Sequence, residues 1–147
     1  MTVTGPATGV SSPIQRGRVR RPLHTGRLLA TRICAGRVLV VEDEDDLRDS
    51  LAELLEDEGY VVAQAHDGRE ALDRLASIER PCWVLLDLFM PRMDGFEFLD
   101  VLTRDDVAAE DVHVVVMTAA PTEAPDDVPV IAKPASADDV LAALDSW

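Results

Sequence analysis

From Arg37 onward the chain alternates short apolar runs with amphipathic stretches. Val38 to Val41 is wholly apolar and stops at five consecutive acids, Glu42 to Asp46. Leu47, Leu51, Leu54 and Leu55 then recur at the spacing of one helix face, and Gly59 closes that helix after Glu58. Tyr60 to Ala65 reads as a second strand and Asp67-Gly68 as a turn. Ala71, Leu72, Leu75 and Ile78 predict a helix over Glu70–Glu79, ending before Pro81. Trp83 to Leu86 is a third strand, and Phe96 to Leu102 opens a third helix. Val112 to Met117 and Val128 to Ala132 complete five strands, and Ser136 with Asp139 resembles a capping box for a last helix. No internal repeat is visible.

Strands that alternate with helices imply crossover connections and a parallel sheet covered on both faces, an α/β fold. The near-continuous Val and Leu content of the first, third and fourth strands agrees, because strands buried on both faces need not alternate. In such folds a ligand site lies beyond the carboxyl ends of the strands. Those ends carry Glu42 and Asp43, Asp87, Thr118 and Lys133. Asp87 is the most unusual of them, a lone carboxylate closing the hydrophobic run VLLDL. A charge there is costly unless something pairs with it.

If the strands are parallel, three carboxylates crowd together and require a cation. Hard oxygens in an incomplete cage suit Mg²⁺. Lys133 and the Thr118 hydroxyl are then free to hold a further anion, for which phosphate is the best fit. Asp87 would be an in-line nucleophile toward phosphorus and would form an acyl phosphate. Each part has an ordinary explanation when taken alone. The acids can complement a helix dipole, Thr118 can be a strand residue, and Lys133 can mark a surface turn. Their joint placement at successive strand ends favours the site.

Composition changes this picture in one respect. The chain has 147 residues, 47% hydrophobic and 29% charged, enough for one domain with a real core. Through Arg37 there are seven arginines and no acids; beyond it seven basic residues face 28 acids, a net of −21. The acidic body is a poor partner for nucleic acid. Residues 1–36, with RGRVRR at 16–21, read as a disordered basic extension, an upstream reading-frame artefact, or an arm for an acidic partner. The Arg-rich, acid-free arm also resembles an organelle transit peptide. No run approaches the roughly 18 apolar residues of a membrane span. Cys34 and Cys82 are too few for a disulfide framework, which suits a reducing, cytoplasmic setting.

The motifs VLVVEDE (38–44), LLDLFMPRMDGFEFL (85–99), VVVMTA (114–119) and AKPA (132–135), in this order, resemble the response-regulator receiver domain of two-component signalling. The resemblance covers 37–147. It implies a five-stranded, doubly wound, flavodoxin-like fold with Asp87 as phosphoacceptor. It implies Mg²⁺ held by Asp43, Asp87 and the main-chain carbonyl of Phe89, with Glu42 assisting through water. Thr118 would be the switch hydroxyl and Lys133 the phosphate cation, followed by a cis peptide to Pro134. Asp94-Gly95 matches the turn into the third helix, and Ala119 would leave the site accessible.

Two departures stand out. The family places a switch aromatic where this chain has Val130. The nine residues from Ala119 to Asp127 contain Pro121 and Pro125, so the fourth helix is expected to be shortened or lost. That region helps form the family's usual output or dimer face, so phosphorylation without the usual dimerisation there is expected.

The expected function is a stand-alone phosphoacceptor in a His-to-Asp relay, charged by a sensor histidine kinase or phosphotransfer protein and read by a protein partner. It would catalyse only its own phosphorylation and dephosphorylation. No output domain is expected after Trp147 and no DNA-binding fold in the arm. The alternative is a phosphorylation-independent pseudo-receiver. An aspartyl-nucleophile phosphatase is disfavoured, since Phe89 stands where a second acid would be needed. His24, His66 and His113 show no metal or catalytic spacing, and His66 reads as a solvated turn residue. Cys82, Trp83, Met90 and Met93 read as packing residues, and Trp147 ends the last helix.

Overall fold

A computed structural model describes residues 35–146; the arm through residue 34 and Trp147 lie outside them. Five strands form one sheet: β1 (Gly36–Val41), β2 (Tyr60–Ala65), β3 (Cys82–Leu86), β4 (Val112–Thr118) and β5 (Val130–Ala132). Their order is β2-β1-β3-β4-β5, and every neighbouring pair is parallel. The helices are α1 (Asp45–Asp57), α2 (Gly68–Leu75), α3 (Gly95–Arg104), α4 (Asp106–Ala109) and α5 (Ala137–Asp145).

The two faces of β1 and β3 divide the core. Val38, Val40 and Leu85 pack with Leu51, Leu55, Val140 and Leu144 of α1 and α5. Leu39, Val41, Val84 and Leu86 pack with Ala71, Leu75, Phe98 and Leu102 of α2 and α3. Because both faces are covered, these strands are apolar at every position from Val38 to Val41 and from Cys82 to Leu86. Each fully buried Val or Leu stabilises the fold by roughly 1.5–3 kcal/mol.

Helix starts follow the capping chemistry in the sequence. Asp67 accepts the Glu70 N–H, Asp94 the Glu97 N–H, and Ser136 and Asp139 form the expected capping box. Two elements differ from expectation. α2 stops at Leu75 instead of continuing to Glu79. Ser77 and Ile78 donate to carbonyls three residues back, which tightens the turn, and Arg80 Nη1 binds the carbonyls of Leu75 and Ile78 at 2.8 Å each. The one-turn α4, capped by the Asp105 carboxylate, is an additional element that the apolar periodicity does not predict.

Between β4 and β5 there is a single 3₁₀ turn, Pro121–Glu123, in place of a fourth crossover helix. Ala124 and Val128 pack against the α2/α3 side of the core in its stead. β5 begins at Val130, two residues later than expected, because Pro129 has no N–H; its carbonyl accepts the Val116 N–H. Ala35 and Gly36 belong to the fold: Ala35 is buried and donates to Gly59 at 3.0 Å, and Gly36 begins β1.

Candidate functional site

The sheet ladder continues past the strand ends and fixes the candidate residues. Glu42 N–H donates to the Ala65 carbonyl and Asp87 N–H to that of Val41, both at 3.0 Å, while Lys133 N–H donates to Thr118 at 2.8 Å. Glu42, Asp87 and Thr118 are buried at 2%, 6% and 0% exposure, whereas Asp43 is exposed. Gly95 lets α3 start against this edge. A Cβ there would meet the Asp87 carbonyl oxygen at 2.5 Å and Leu88 Cα at 2.7 Å, contacts with backbone that cannot give way.

Carboxylate oxygens of Glu42, Asp43 and Asp87 lie within 4.8 Å of one another. Lys133 Nζ is 2.7 Å from Glu42 Oε2 and 3.5 Å from Asp87 Oδ2. The other oxygen of each buried acid faces backbone: Glu42 Oε1 accepts the Glu44 N–H at 3.2 Å, and Asp87 Oδ1 the Phe89 N–H at 3.4 Å. Burial pushes the Asp87 carboxyl above its ordinary value; Lys133 and the Phe89 N–H pull it back, Asp43 pushes it further, and the net shift is upward. Burial likewise raises Glu42 against the Lys133 hydrogen bond, with Asp87 adding to the rise. Burial depresses Lys133, but its bonds to the two acids outweigh that and raise it.

One ammonium thus contacts two of three clustered acids, and a divalent cation would balance the remaining negative charge. The donors are hard oxygens at one rim, which fits a divalent ion of the Mg²⁺ type. Glu42 is committed on both oxygens, while Asp43 and Asp87 are the less engaged pair. The residue set read from the strand ends is thus brought together as Glu42, Asp43, Asp87 and Lys133. Thr118 joins through its carbonyl bond to Lys133, and its Oγ1 accepts the Ala120 N–H at 3.1 Å. Phe89, 47% exposed, stacks edge-on with Phe96. The Lys133–Pro134 peptide is cis.

The residues read as packing behave so. Cys82, Trp83 and Met90 are buried, and Met93 packs against the α2/α3 core. His113 meets Trp83 near the amino ends of the strands, away from the acids. His66 is an exposed residue of the bend between β2 and α2, as expected, and also pairs with Glu70 on α2. The sequence signals a turn at Asp67 but not its long-range partner: the residue is buried and binds Arg92 at 2.5 Å. The two are 25 residues apart, and nothing local signals their meeting. Among the described residues no helix is long and apolar enough to cross a membrane.

Comparison with known proteins agrees with this geometry. The response regulator receiver domain model matches residues 38–145. Response regulator MprA of Mycolicibacterium vanbaalenii is 46% identical over 83 residues, 56% of this chain and 34% of MprA. The chain thus spans about a third of the length of that relative. A CheY-like receiver domain protein from Methanospirillum hungatei superposes with a TM-score of 0.66 at 26% identity, covering 76% of this chain and 92% of the other. Response regulator TrrA of Thermotoga maritima, solved with Mg(2+)-BeF, gives 0.64 at 27% identity, covering 76% and 97%. From Val38 to Asp145 the chain belongs to the response regulator receiver domain family of two-component systems.

Proposed function

We propose that Asp87 is the phosphoacceptor of a His-to-Asp relay and that Mg²⁺ is held by Asp43, Asp87 and the Phe89 main-chain carbonyl, with Glu42 acting through water. The single observation that carries the reading is the convergence of Glu42, Asp43 and Asp87 around Lys133 at the carboxyl edge. When bound, Mg²⁺ supplies neutralisation of the carboxylates and of the incoming phosphoryl oxygens.

An Asp87 oxygen attacks phosphorus in line while the bond to the donor's imidazole nitrogen breaks, leaving the acyl phosphate and a neutral histidine. Lys133 is already at the rim, 3.5 Å from Asp87, and turns from Glu42 toward the new phosphoryl group. The Thr118 hydroxyl follows as the switch donor, and water later hydrolyses the acyl phosphate to restore Asp87. The donor is a sensor histidine kinase or a phosphotransfer protein. The readout is a protein partner in the cytoplasm, consistent with a body whose charge of −21 repels nucleic acid.

Val130 in place of an aromatic and the missing crossover helix favour a pseudo-receiver that signals without phosphate. The complete acid and lysine set opposes it. Fluorine NMR of the protein with beryllofluoride and Mg²⁺ tests the reading: a bound signal is expected for wild type and lost with chelator or in D87N. A wild-type spectrum showing only free fluoride species would reject it.

A further inference from the structure

One buried acid takes no part in the site at the strand ends. Asp67, 3% exposed, stands at the junction of β2 and α2. Its Oδ1 accepts the Glu70 N–H at 2.8 Å, and its Oδ2 accepts Arg92 Nε at 2.5 Å. His66 flanks the corner, with Nε2 3.6 Å from Asp67 and Nδ1 paired with Glu70. Arg92 lies in the β3–α3 loop, which leads from Asp87 through Phe89 to the α3 cap, Asp94. Its φ of 68° is left-handed, a conformation few residues other than glycine adopt. The carbonyl of the next residue, Met93, accepts the Gly68 N–H at 2.9 Å. A Cβ on Gly68 would lie 2.9 Å from the Met93 carbonyl oxygen and 2.7 Å from the Met93 side chain, so the first residue of α2 and the β3–α3 loop are in close contact.

A left-handed arginine persists only where its surroundings hold it there. Here the holder is Asp67, itself fixed by its capping bond. The loop is also tied at its other end, where Gly95 donates to the Leu88 carbonyl at 2.9 Å. Phe89 lies between these two fastenings. A ligand to a metal must be held to within about 0.5 Å of its productive position, and residues that hold ligands in place commonly set metal affinity.

We propose that Arg92 is a positioning residue, whose ion pair with Asp67 braces the β3–α3 loop so that the Phe89 carbonyl is presented to the divalent cation. This rests on the metal reading given above. The test compares wild type, R92A and R92K by calorimetric titration with Mg²⁺ and by hydrogen exchange of the Gly68 amide in metal-free protein. Arg92's side chain is 61% exposed, so its removal leaves the core intact. R92A is expected to raise the Mg²⁺ Kd about three- to tenfold and to speed Gly68 exchange, with partial recovery in R92K. A purely structural role would lower Tm without moving a Kd measured well below it. An R92A Kd within about twofold of wild type overturns the proposal, whatever the exchange shows. If wild type takes up no Mg²⁺, the metal reading falls instead, and unchanged Gly68 exchange in R92A would overturn the brace as well.

Discussion

Lys133 Nζ sits 2.7 Å from the Glu42 carboxylate, closer than the 3.5 Å that separates it from Asp87. The side chain proposed to bind phosphate is therefore held first by a neighbouring acid, in a site where Glu42 and Asp87 are both buried. Glu42 keeps the lysine charged and within reach of Asp87.

Lys133→Ala should destabilise the fold, because it leaves two buried acids without their counter-ion. Removing one partner of a buried pair costs about 3–5 kcal/mol, and the partial exposure of Lys133 brings the expected loss to roughly 1–3 kcal/mol at neutral pH. The loss should shrink as acid protonates Glu42 and Asp87. Urea unfolding of both proteins at neutral and mildly acid pH measures it.

Mg²⁺ should stabilise the protein. The folded-state pKa values of Glu42 and Asp87 lie above their unfolded values, so the unfolded chain binds fewer protons and stability falls as pH rises through the raised values. A bound divalent cation offsets that loss. At about ten times its Kd the gain is roughly 1.4 kcal/mol, a Tm rise of several degrees. Differential scanning calorimetry should show the rise in wild type and none in D87N.

Asp67 should give the opposite pH response. Burial alone would raise its carboxyl, but the Glu70 N–H, Arg92 and His66 outweigh burial and hold it below the usual 3.8. Its stabilisation is thus fully present above that value and disappears as pH falls through the lower folded one. D67A should cost about 1–2 kcal/mol at neutral pH, and D67N less because Asn also caps. The gap between wild type and D67A should close in strong acid, as read by denaturant midpoints.

The β4–β5 connection predicts the oligomeric response. With one 3₁₀ turn where a crossover helix would stand, and Val130 exposed beside it, this side presents little of a helical dimer face. Light scattering should give the same mass with and without beryllofluoride and Mg²⁺. A phosphate-mimic-dependent dimer built on residues 119–132 would contradict this.

The strands were legible where burial is two-sided, since Val38–Val41 and Trp83–Leu86 need only apolarity to be recognised. Asp87 was legible for the same reason: a carboxylate among Leu85, Leu86 and Leu88 breaks the pattern. The early end of α2 was hidden because Ile78 keeps helical spacing although Arg80 has taken the carbonyls. α4 is a single turn, too short to show a period. The Asp67–Arg92 pair depends on two loops meeting in space, and neither residue differs locally from an ordinary turn residue.

Intact mass spectrometry after incubation with acetyl phosphate probes phosphoacceptance most directly. Wild type with Mg²⁺ should gain the mass of one phosphoryl group, labile to hydroxylamine, and neither D87N nor chelator-treated wild type should gain it. An unmodified wild type, or equal modification of D87N, would contradict Asp87 as the phosphoacceptor.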